Sequence, residues 1–70
     1  MKIERIHSLR TDHNLTQTEI ARAIHVSQRS YSHYETGSRS VPVEILILLC
    51  DYYQVSIDYL LGRTNNPKIP

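Results

Sequence analysis

Gln28, Arg29, Ser32 and His33 place an amide, a guanidinium, a hydroxyl and an imidazole within six residues. Their spacing gathers them on one side of a helix. The chemistry such a strip offers is hydrogen-bonded reading of base edges. An amide in the first turn of a helix lying in a major groove pairs bidentately with adenine N6 and N7, and a guanidinium matches guanine O6 and N7. Ser32 serves any base or a backbone oxygen, and His33, one turn beyond Arg29, meets a base edge as donor or acceptor. Arg29 is equally placed to reach phosphate. A solvated helix face with no such role is the plain alternative, and these four residues alone leave it open.

The elements that must hold this strip are readable around it. Thr16 followed by Glu19 is a capping box, in which the Thr hydroxyl accepts from the third helical N–H and the carboxylate reaches back to the cap N–H. A helix therefore starts at Gln17, with Ile20, Ala21 and Ile24 on its inward stripe and Gln17, Thr18 and Arg22 outside. Ser27 is the next cap, so the chain must turn within His25 and Val26. The helix it opens runs over Gln28 to Thr36, buries Tyr31 and Tyr34, and stops at Gly37 in a left-handed conformation. Two short helices joined by so tight a turn have the geometry of a DNA-reading helix-turn-helix.

The pattern resembles the Cro/repressor-type (XRE-like) helix-turn-helix DNA-binding family. Ile20, Ile24, Val26, Tyr31 and Tyr34 occupy its apolar positions and Ala21 its small one. The resemblance extends from about Leu9 to Gly62. One departure is that the family usually has Gly where His25 stands, at a position needing a positive φ that His tolerates better than most residues. Asn14 ends the preceding helix at another such position. The resemblance implies a base contact at Gln28 and a phosphate contact at Gln17, where the helix N-terminus adds free N–H groups and its dipole. It also implies backbone contacts from Ser27 and from the loop of Thr36, Ser38, Arg39 and Ser40, although relatives often have Asn at position 36. Finally, it implies a partly buried ion pair between Arg10 and Glu35 that ties the first helix to the end of the reading helix.

The whole chain reads as five helices without strands, an all-α fold that the family shares. The first covers residues 2 to 13, with Ile3, Ile6, Leu9 and Arg10 inward. Pro42 opens the fourth at its first helical position, and that helix runs to about Tyr53. Ser56 caps the fifth, which Gly62 stops after Leu61. Residues 1 to 62 form one DNA-binding domain, and 63 to 70, with two Pro and two Asn, read as a flexible tail.

Composition narrows the function classes. Seventy residues allow one small core, and the single Cys50 excludes an internal disulfide. Net charge is only +1, with six basic side chains against four acidic in residues 1 to 39 and two against three in the remainder. Binding to nucleic acid would rest on placed contacts more than on a broad basic field. His7, His13, His25 and His33 contain no i, i+4 pair, so no metal is expected. Without a Gly-rich phosphate loop or a nucleophile beside a base, no cofactor and no enzyme activity are expected either. The longest apolar run, Ile45 to Cys50, is far short of a membrane span; a cytoplasmic protein without membrane contact is expected.

The fourth helix is apolar nearly all round. Taking Val43, Leu46, Ile47, Leu49, Cys50 and Tyr53 as its core stripe leaves Ile45, Leu48 and Tyr52 on the opposite side. A domain this small cannot cover both, so these three are expected to form a subunit interface. The resulting expectation is a homodimeric, sequence-specific transcriptional repressor on double-stranded DNA with a dyad-symmetric operator. Two alternatives stand beside it: an antitoxin that also holds a protein partner, whether a toxin or an anti-repressor, and an interaction module with a degenerate helix-turn-helix.

Overall fold

Side-chain caps set three of the five helix starts. In the computed structural model, which describes residues 2–69, the helices are α1 (Glu4–Asp12), α2 (Gln17–Ala23), α3 (Gln28–Thr36), α4 (Val43–Tyr53) and α5 (Ile57–Leu60). Thr16 and Glu19 form the full capping box at α2, and the hydroxyls of Ser27 and Ser56 accept from Ser30 N–H and Tyr59 N–H, each at 3.1 Å. The other two starts have no side-chain cap. α1 accordingly begins later than its pattern suggests, after an extended Ile3. Pro42 is the N-cap of α4, at ψ 150°, and not its first helical residue.

Left-handed residues end all five helices, with Gly62 (φ 79°) following Leu61 after α5 as its position in the sequence suggests. Asn14 (φ 55°), His25 (φ 61°) and Gln54 (φ 56°) do so without being Gly, and Gly37 (φ 82°) closes α3. After α1 and α2 the hydrogen bonds form Schellman pairs: Asn14 N–H to Thr11 O with Leu15 N–H to Arg10 O, then His25 N–H to Arg22 O with Val26 N–H to Ala21 O. The residue after each non-Gly left-handed position is apolar. Leu15 and Val26 pack against the core and Val55 is buried within it. Burial of that next side chain offsets the strain of the residue before it. Gln54, which nothing in the sequence pattern flagged, adds a 2.6 Å bond from its own amide to Asp51 O.

The core gathers from all five helices around Ile6, Ile20, Ile24, Tyr31, Leu49 and Leu60, which are fully buried. Ala21 is 1% exposed, and its small side chain suits the close α2–α3 crossing. The stripe assigned to α4 needs correction. Val43 and Ile47 are 67% and 53% exposed, whereas Ile45 and Leu48 are half-buried and pack on the core beside Leu46. Only Tyr52 of the three expected outward residues is exposed. The physical marker is the pair Glu44 and Asp51: their seven-residue spacing puts both charges on one side, and Ile47 falls between them.

The C-terminal segment is tied down more than its composition suggests. Arg5 donates to Tyr59 O at 2.7 Å, to Thr64 O, and to Asn65 Oδ1 at 2.8 Å, with its guanidinium 3.9 Å over the Tyr59 ring. Ser56 N–H bonds Pro67 O at 3.0 Å. Met1 and Pro70, the ends of the expected domain and tail, lie outside the described residues.

Candidate nucleic-acid interface

One line of polar bonds runs from α1 to the first turn of the reading helix. Arg10 grips Glu35 through Nε at 2.8 Å and Nη2 at 3.0 Å, and its Nη1 donates to Leu15 O at 2.8 Å. Gln17 Nε2 donates to the same carboxylate at 3.2 Å, and Gln28 Nε2 donates to Gln17 Oε1 at 2.6 Å. The ion pair is largely withdrawn from solvent, with side chains 15% and 7% exposed. Burial by itself pushes the Glu35 carboxyl up, yet the donors from Arg10 and Gln17 and the adjacent positive charge outweigh it and hold the group down at about 2. Hydrogen bonding to Glu35 in turn raises Arg10. Burial raises Tyr31, beside the same carboxylate.

This line decides what Gln28 has left to offer. One of its two N–H groups is held by Gln17, so one donor and the carbonyl acceptor remain. That is the complement of adenine N7 and N6. Gln17, with one N–H on Glu35, keeps another at the N-terminus of α2, where free backbone N–H groups suit phosphate. The Gln17–Gln28 bond was not anticipated from sequence. Its signal was present: both glutamines directly follow a hydroxyl cap, at the first position of adjacent helices.

A second cluster joins the end of α3 to the loop beyond it. His33 Nδ1 is 2.8 Å from Ser38 Oγ, and Ser38 Oγ is 3.1 Å from Thr36 Oγ1. His33 O receives the N–H groups of Gly37 at 3.1 Å and Arg39 at 3.3 Å. Gly37 is required here: a Cβ would stand 2.8 Å from Lys2 Cβ and 3.0 Å from Lys2 Cα, at φ 82°. Of the remaining candidates, Ser27, Arg29, Arg39 and Ser40 are exposed and Ser32 is half-buried. Thus Gln17 joins Gln28, and His33 joins Thr36 and Ser38, while Arg29, Ser32, Arg39 and Ser40 make no side-chain hydrogen bond among the described residues. No group of three potential metal ligands occurs among the described residues, and no described helix is long and apolar enough to cross a membrane.

A helix-turn-helix family model matches residues 6–60. An HTH-type transcriptional regulator of Bacillus subtilis, YobD, is 39% identical over 67 residues, covering 96% of this chain and 60% of its own length. The antitoxin PezA of Streptococcus pneumoniae is 41% identical over 58 residues, covering 83% of this chain and 37% of its own. The chain thus spans 60% and 37% of the length of these two relatives. Among solved structures, the P22 c2 repressor in complex with a synthetic operator superposes with a TM-score of 0.80 at 28% identity, covering 91% of this chain and 98% of that one.

Proposed function

The chain belongs to the helix-turn-helix family, and from that premise we propose that it is a sequence-specific DNA-binding transcriptional regulator acting as a repressor. A homodimer would set two copies of α3 in successive major grooves of a dyad-symmetric operator, roughly 34 Å apart. Gln28, Arg29, Ser32 and His33 read bases. Gln17, Ser27, Thr36, Ser38, Arg39 and Ser40 hold the backbone and set the register.

The observation that carries this reading is the Arg10–Glu35–Gln17–Gln28 line. It presents an oriented amide, with one donor and one acceptor free, from a helix start where nothing in the fold itself uses them. Preorganisation of that kind lowers the ordering cost of binding. The likeness to a repressor solved on its operator supports the same docking.

Selection from random double-stranded DNA tests the proposal. A dyad motif with half-sites one helical turn apart is expected. With about three phosphates neutralised per protomer, the log–log salt dependence of affinity should have a slope near −5. No enriched motif, or a slope near zero, would reject it. A second reading, an antitoxin that also binds a toxin, has the PezA likeness and the exposed Val43 and Ile47 in its favour. Co-purification of a stoichiometric heterologous partner that is lost in the Ile47→Glu variant would support it.

A further inference from the structure

Ser38 stands between the two tasks of the interface, because its hydroxyl touches a base-reading side chain from within the backbone-gripping loop. The carbonyl of His33 already receives two N–H donors, which fill its lone pairs. The loop hydroxyls therefore gain little from it, and their distances to it are long, 3.3 Å for Thr36 and 3.5 Å for Ser38. The short contact is the 2.8 Å one to His33 Nδ1. With Nδ1 engaged, only Nε2 is left to meet a base pair. Whether Nε2 donates or accepts depends on where the single Ser38 proton goes. A phosphate oxygen only accepts. A Ser38 that donates to phosphate must take the Nδ1–H of His33 on its own oxygen, and the neutral imidazole then shows a bare lone pair at Nε2.

Resting on the DNA-reading function above, we propose that Ser38 is a specificity-determining positioning residue. By donating its proton to the DNA backbone it holds His33 as the Nδ1–H tautomer, and His33 then selects a base with an exocyclic amino donor in the major groove. Adenine N6 and cytosine N4 qualify, whereas guanine and thymine present acceptors there. Base choice at this position is thereby set from a loop that touches no base.

The test compares the wild-type chain with Ser38→Ala and Ser38→Thr on four operators differing only at the base pair that His33→Ala identifies as its own. Wild type should favour adenine or cytosine by about tenfold, and Ser38→Ala should keep less than about threefold of this. Ser38→Thr, which restores the hydroxyl, should recover it, and preference at the Gln28 position should not move in either variant. Ser38 is exposed, so all three chains should give the same helical circular dichroism. Imidazole 15N shifts of the operator-bound wild type should show Nδ1 protonated and Nε2 bare. An Nε2–H tautomer, a preference for guanine or thymine, or an unchanged preference in Ser38→Ala overturns the assignment while leaving the DNA-reading function standing. A wild-type chain that enriches no sequence overturns both.

Discussion

Replacing Arg10 with Met should be among the most damaging single changes in the chain, and its size follows from the pair it breaks. Glu35 is 7% exposed at its side chain, and Arg10 supplies both of its shortest bonds, at 2.8 and 3.0 Å. With Arg10 gone, the buried carboxylate keeps only the 3.2 Å bond from Gln17, and Leu15 O loses a donor as well. Stranding one member of such a pair costs roughly 3 to 5 kcal/mol. The ionisation of Glu35 points to the same size. A carboxyl held at about 2 against the ordinary 4.5 contributes about 3 kcal/mol at neutral pH. Because its folded pKa is depressed, that contribution is complete above pH 4.5 and is lost as pH falls towards 2. A domain of this size has a total stability of only about 4 to 10 kcal/mol, so urea titrations of Arg10→Met should be run with a stabilising osmolyte. Arg10→Met should lose about 3 to 5 kcal/mol, and Arg10→Met with Glu35→Leu should regain most of it, since no charge is left stranded. The double variant should also lose the acid-range decline due to Glu35. A single-variant loss below about 0.5 kcal/mol, the range of exposed pairs, or an undiminished decline between pH 4.5 and 2 in the double variant, would refute the reasoning.

Three further outcomes are expected. Gly37→Ala meets both a φ of 82° and the Lys2 backbone at 3.0 Å, and should cost about 1 to 3 kcal/mol in urea unfolding; an unaltered midpoint would mean that the N-terminal segment moves aside freely. His25→Gly removes a non-Gly residue from φ 61° and should change stability by between about 0 and +1 kcal/mol; a clear fall in melting temperature would reveal a contact made by the imidazole. Ile47→Glu tests whether the exposed Val43 and Ile47 side of α4, in place of the expected Ile45 and Leu48, joins two copies: at a 53% exposed site it should leave the fold intact while weakening self-association in sedimentation, and undiminished association at micromolar concentration would remove this side of α4 from the subunit contact.

Much of the fold was legible because its signals are local. A hydroxyl cap acts on an N–H only three residues away, just ahead of an apolar helical period, so Thr16, Ser27 and Ser56 announced three helices correctly. Asn14, His25, Gly37 and Gly62 were readable as helix stops for the same reason, while Gln54 was not. Glutamine has no intrinsic preference for that conformation, and the bonds and burial that impose it belong to the folded neighbourhood. The phase of α4 was misread because a helix apolar on nearly every side carries little rotational information, leaving Glu44 and Asp51 as its only charged markers.

The same division holds at the interface. By itself the sequence determined which side chains stand on the outer face of the reading helix, since cap, period and stop are set within a dozen residues. Only the tertiary structure decided what each of them has left to give. The amide of Gln28 is half-committed to Gln17, Gln17 is anchored on a carboxylate held by Arg10, and His33 is turned towards Ser38. Those bonds join residues up to 25 apart in the chain. The His33–Ser38 contact spans only five residues, but no local pattern encodes the other three, because they exist only after the core has brought α1, α2 and α3 together.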